Sequence, residues 1–154
     1  MMRQPINPTF KILQIITMAL CGGVIVFLLL ALFINQDKLV LMPFNDPNSI
    51  IIYIAIVLAL LCVVLSTVLF NILVKKIDTN TAVKEKLLKY ITAYITRYAL
   101  IEGAALFNVV AFLLSGCLIS ASVALALIIF MLRIRPQRAK TTEDLKIYYP
   151  DTLE

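Results

Sequence analysis

The sequence predicts an all-α membrane protein: four transmembrane helices arranged as two hairpins, N-in/C-in, with the third helix extended into the cytoplasm. Three observations lead there. The 154-residue chain is 62% hydrophobic and 15% charged, with a mean hydropathy of +0.98, which leaves too little polar surface for a soluble domain of this size. Its uncharged apolar runs are long enough to cross the ~30 Å hydrocarbon core of a bilayer. All six prolines fall outside those runs, where the missing N–H breaks no helical hydrogen bond.

Residues 1–11 read as a short cytoplasmic N-terminus in which Asn7-Pro8 suits a helix start, since Asn caps and Pro fits the first turn. The first span covers 12–34, with no charge between Ile12 and Gln36. Its apolar run continues well past Cys21, and Leu20 stands where a lipoprotein signal needs a small residue, so an uncleaved span is expected. Residues 35–49 form an outer loop carrying Pro43 and Pro47, and Asp46, Asn48 or Ser49 can cap the next helix. The second span covers 50–74. Along it Ala55, Ala59, Cys62 and Ser66 form a small-residue stripe that admits close approach of another helix.

Residues 75–90 hold Lys75, Lys76, Lys84, Lys86 and Lys89 against Asp78 and Glu85. Asp78-Thr79-Asn80-Thr81 is a turn and cap cluster. After it, Val83, Leu87, Leu88 and Ile91 share a face, with Lys84, Lys86 and Lys89 around the other. This pattern predicts an interfacial helix that runs on into the third span, 91–115. Ser115-Gly116 is the turn signal before the fourth span, 117–134, which Pro136 ends. Residues 135–154 are a cytoplasmic tail. Lys and Arg cluster at both termini and in the 75–90 segment, including Arg133, Arg135 and Arg138, while the opposite loops carry only Lys38. The positive-inside rule therefore orients the bundle, and the basic residues are expected to meet anionic lipids. The expected location is a bacterial inner membrane.

Net charge is +5, but the cations flank apolar runs, so a membrane surface rather than nucleic acid is the expected partner. The chain has no histidine, which excludes His-based catalysis and haem or metal ligation by His. No phosphate loop, Ser/Lys or Cys/His pair at matched depth, or acidic metal cluster is present, so neither an enzyme nor a cofactor or metal is expected. The three cysteines, Cys21, Cys62 and Cys117, have no CxxC spacing and read as small packing residues.

The third span carries Glu102, the one acidic residue inside a long apolar run. An ionisable group in hydrocarbon costs several kcal/mol unless paired, neutralised or wetted. Tyr90, Tyr94, Tyr98 and Glu102 recur every four residues, a slowly rotating stripe on a helix. Arg97 is expected at the headgroup boundary. It lies about 140° around the helix from Glu102, so a partner for the carboxyl is sought on another helix, from Lys11, Gln14, Asn71 or Arg133. Gln14, Thr17, Ser66, Thr67 and Asn71 fall at similar depth and Asn108 deeper. Two readings stand side by side: a cytoplasm-facing pocket floored by Glu102, or an interhelical hydrogen-bond network that holds register. Ala99 and Gly103 add a small-xxx-small pair beside the carboxyl, expected at a helix contact. At an offset of 80, Ile15, Ala19, Leu20, Gly23, Phe27 and Ala31 echo Ile95, Ala99, Leu100, Gly103, Phe107 and Ala111.

Ala99 to Leu114 resembles the ion-carrying helix of rotary ATPase proteolipid subunits, in which a mid-membrane carboxylate carries H⁺ or Na⁺. The resemblance covers one helix. Proteolipids have glycine-rich inner helices and non-cytoplasmic termini, whereas this chain has four glycines and its Glu in the third span. The whole chain resembles small bacterial four-span inner-membrane proteins of unassigned function, which implies topology and no activity. In span count and size it is also similar to dimeric multidrug transporters, which carry their Glu in the first helix. The expected function is that of a subunit or accessory factor of an inner-membrane complex acting by helix–helix contacts, with a membrane-protein partner or a second copy of the chain. The alternative is a small proton-coupled transporter or channel using Glu102.

Overall fold

A computed structural model of the chain describes residues 8–41, 49–78, 83–137 and 141. Among them are four helices: α1 (Pro8–Ile34), α2 (Ser49–Lys75), α3 (Val83–Ser115) and α4 (Leu118–Arg133). α1, α2 and α3 are each long and apolar enough to cross a membrane, as expected of a membrane protein. α4 has 16 residues, or ~24 Å at 1.5 Å per residue, and is apolar but shorter. The 33 residues of α3 are continuous, so the segment expected at the interface and the third span are one helix. Asp46, Asn48, the Thr79–Thr81 part of the cap cluster, Arg138 and the tail beyond Thr141 lie outside the described residues.

α3 is the axis of the bundle. It packs against each of the other three helices, whereas α1 and α2 barely meet. The consecutive helices α3 and α4 thus pack on one another, whereas the consecutive helices α1 and α2 do not. The chain leaving α1 explains why. The Asn35 side-chain amide donates to the carbonyls of Phe112 (3.4 Å) and Leu113 (3.1 Å) in the last turn of α3, where Phe112 O also accepts from Gly116 N at 2.7 Å and the Leu113 carbonyl is one of those a helix end leaves without a backbone donor. Val40 then pairs with Cys117 in a parallel bridge, Val40 N to Gly116 O at 3.1 Å and Leu118 N to Val40 O at 2.9 Å. These bonds draw the connection across the end of α3 and let α2 start on its other side.

Gly116 makes that crossing possible. Its φ of +64° is left-handed, a region that costs L-residues with a side chain. A Cβ there would also collide with the Lys38 carbonyl oxygen.

Lys86 departs from the expected polar face. It is only 7% exposed, whereas Leu88 is exposed. Lys86 and Arg97 are eleven residues apart, close to three full turns, so both fall on the buried side of α3. Glu85 and Lys89 make a half-exposed i,i+4 ion pair at 2.8 Å, worth about 0.3–0.5 kcal/mol. The three cysteines are free; Cys21 and Cys117 are buried and Cys62 partly so.

Candidate functional site

Tyr90, Tyr94 and Tyr98 are fully buried, so the tyrosine stripe lies in the protein core. Phe70 of α2 meets Tyr90 and Tyr94 edge-on, with ring centroids 5.9 and 5.0 Å apart. Tyr90 and Tyr94 lie 5.1 Å apart, and Tyr94 stacks on Tyr98 at 6.3 Å. Each such pair contributes about 0.5–1.5 kcal/mol beyond its area. The Tyr98 hydroxyl donates to the Met131 carbonyl at 2.7 Å, satisfying a carbonyl in the last turn of α4 that has no helical donor.

A four-residue step advances about 40° around a helix. From Tyr90 to Glu102 the stripe therefore turns away from the centre of the contact, and Glu102 emerges half-buried at its edge, with Gly103 exposed beside it. Among the described residues Glu102 has no hydrogen bond or ion pair. The partners sought for it are turned elsewhere: Lys11, Gln14, Asn71 and Arg133 are all exposed. Asn71 faces out because its neighbour Phe70 takes the core position. The expected polar interior around Glu102 is thus not assembled.

Arg97 is 9% exposed, and its guanidinium carbon lies 4.9 Å from the centre of the Phe70 ring. Its Nε is buried without a hydrogen-bond partner, so ring and cation hold each other through charge–quadrupole attraction. Arg97 is more enclosed than a residue at the headgroup boundary should be. Hydropathy gives no reason to single out Phe70, although its position four residues after Ser66 continues the small-residue stripe of α2.

On that stripe Ala55, Ala59 and Ser66 are buried and Cys62 partly buried. The small Ala55 side chain lets α3 come close enough for the Asn108 amide to donate to the Ala55 carbonyl at 3.0 Å, and to its own helix at Ala104 at 2.9 Å. Asn108 Oδ1 is buried without a donor. Other polar groups bond within their own helices: Thr17 to Gln14 at 2.9 Å, Ser66 and Thr67 to Val63 at 2.9 and 3.0 Å. Asn108 and Tyr98 thus bridge helices, whereas Thr17, Ser66 and Thr67 do not join them in a broad network.

Ala99 and Gly103 differ from the stripe on α2. Both are exposed, and a Cβ added at Gly103 would meet nothing within 4 Å. Their departure from the expected helix contact has a simple cause: they lie on the side of α3 opposite Ile101, Ala105 and Asn108, which are buried. At the six positions where α1 echoes α3, paired residues are alike in burial, with Ala19 and Gly23 exposed like Ala99 and Gly103.

The arrangement defines an aromatic and asparagine-locked helical core with one unpartnered carboxyl at its margin. No protein family, curated protein or solved structure matches the chain.

Proposed function

We infer that the chain is a multi-pass inner-membrane protein that acts by helix–helix contacts, as a subunit or accessory factor of a membrane complex. One observation carries this reading: the exposed Ala99–Gly103 face of α3 is flanked by Glu102, which has no partner among the described residues. A carboxyl left alone in hydrocarbon costs several kcal/mol. A helix that brings a hydrogen-bond donor against this face removes that cost, and the small residues permit the close approach on which association in lipid depends.

The reading uses four spans with both termini and the 75–90 segment cytoplasmic, supported by the asymmetry of Lys and Arg. A fourth span of ~24 Å is accommodated by local thinning and by snorkelling of flanking Arg133 and Arg135. The exposed Lys75, Lys76, Lys89, Arg133 and Arg135 would then meet anionic lipid headgroups.

Gentle solubilisation followed by mass spectrometry of co-purifying proteins tests the reading. Gly103→Leu and Glu102→Gln should each lower recovery of the partner while the isolated chain keeps its thermal stability. Unchanged recovery in both variants sinks the proposal. The alternative, a proton-coupled transporter using Glu102, gains only if Glu102→Gln abolishes function with partner recovery intact. For the topology, a cysteine introduced at position 80 should resist an impermeant reagent in intact cells.

A further inference from the structure

At the end of the bundle where α1 begins and α4 has ended, Gln14, Thr17 and Met18 face Arg135, Pro136 and Gln137 across an open cleft of about 420 Å³. That volume is within the range of small-ligand sites. The Thr17 hydroxyl is already committed to the Gln14 carbonyl. The side chains of Gln14, Arg135 and Gln137 have no hydrogen-bond or ion-pair partner among the described residues. Among the described residues no carboxylate lines the cleft. It therefore offers one fixed positive charge, a planar guanidinium fork and two neutral amides, a donor-rich set that suits an oxyanion.

The remaining walls are apolar. Met18 and Pro136 line the cleft, and exposed apolar surface begins beside it, at Ile15 on α1 and at Leu132 one turn before Arg135. A ligand that matches both halves carries its anion and its hydrocarbon on one molecule. We propose that this cleft is a phospholipid site, in which Arg135 holds the headgroup phosphate, Gln14 and Gln137 donate to it, and the acyl chains run along Met18 and the outward face of α1. Arg binds phosphate bidentately, with more geometric selectivity than the general attraction of a basic surface. The proposal rests on the bundle lying in a bilayer, and on no protein partner.

The chain has no tryptophan, so a single introduced indole reports on its own surroundings. Met18→Trp protein is reconstituted in phosphatidylcholine vesicles containing either phosphatidylglycerol or phosphatidylcholine with brominated acyl chains, which quench indole fluorescence on contact. Brominated phosphatidylglycerol should quench with about fivefold preference, the equivalent of ~1 kcal/mol for one cation–headgroup contact. Arg135→Gln should bring the preference to one, and Arg135→Lys should leave part of it. A second reporter, Val26→Trp, sits on the exposed face of α1 two turns away and should be quenched equally by both lipids.

Equal quenching by the two lipids at position 18 overturns the site. So does a preference that survives both Arg135→Gln and Gln14→Leu. Relief of quenching by inorganic phosphate would reassign the cleft to a soluble phosphate. No quenching at position 26 by either lipid would overturn the embedding itself, and the lipid site with it.

Discussion

Asn108 of α3 donates its side-chain amide to the backbone carbonyl of Ala55 on α2 at 3.0 Å. The bond exists because residue 55 is small: a larger side chain would hold the two helices too far apart for an asparagine to reach the backbone. It joins the axis of the bundle to the helix that makes its largest contact. In an apolar core, a side-chain bond of this kind contributes about 0.6–2 kcal/mol.

Asn108→Ala should therefore destabilise the protein by about 1–2 kcal/mol, and Ala55→Leu by more, since it also forces the helices apart. Because both changes act on one contact, the double variant should cost less than the two single costs added, by about 0.5 kcal/mol or more. Thermal unfolding in mild detergent across the four proteins measures this. Strict additivity would mean that the bond does not couple the helices.

Tyr98→Phe isolates the second interhelical bond. It keeps the ring that stacks on Tyr94 and removes only the hydroxyl that donates to Met131. The carbonyl is left unsatisfied in a buried site, at a cost of about 1–3 kcal/mol. Tyr53→Phe on the exposed side of α2 should leave the melting temperature unchanged. Equal melting of both variants would show that Met131 finds another donor.

Gly116→Ala should be among the most damaging single-methyl changes in the chain. The left-handed backbone costs an L-residue about 1–2 kcal/mol, and the added Cβ meets the Lys38 backbone rather than a movable side chain. Lys38→Ala, which leaves that backbone in place, should be mild. Limited proteolysis of the 35–49 connection provides the readout. Faster cleavage is expected in Gly116→Ala, because the Val40–Cys117 bridge that pins the connection would loosen.

The helices, and Gly116 as the break between the last two, are legible in the sequence because hydropathy and backbone breakers act locally. Uncharged runs bounded by proline, glycine and lysine need no knowledge of neighbours. The roles of the polar and small residues within those runs are not legible in the same way. Ala55-xxx-Ala59 and Ala99-xxx-Gly103 look alike in one dimension, yet the first pair is buried and the second is open. Tyr90, Tyr94, Tyr98 and Glu102 share a spacing, yet three are core and the fourth is marginal. Spacing along a helix determines the angles between side chains, but not which angle points inward. In a soluble protein hydropathy supplies that missing phase. In a chain this apolar it cannot, because a face turned to lipid and a face turned to another helix are equally hydrophobic. Only the packing of Phe70 into the tyrosines, of Arg97 over Phe70, and of Asn108 onto Ala55 decided the phase of α3. That packing left Glu102, Ala99 and Gly103 at the margin.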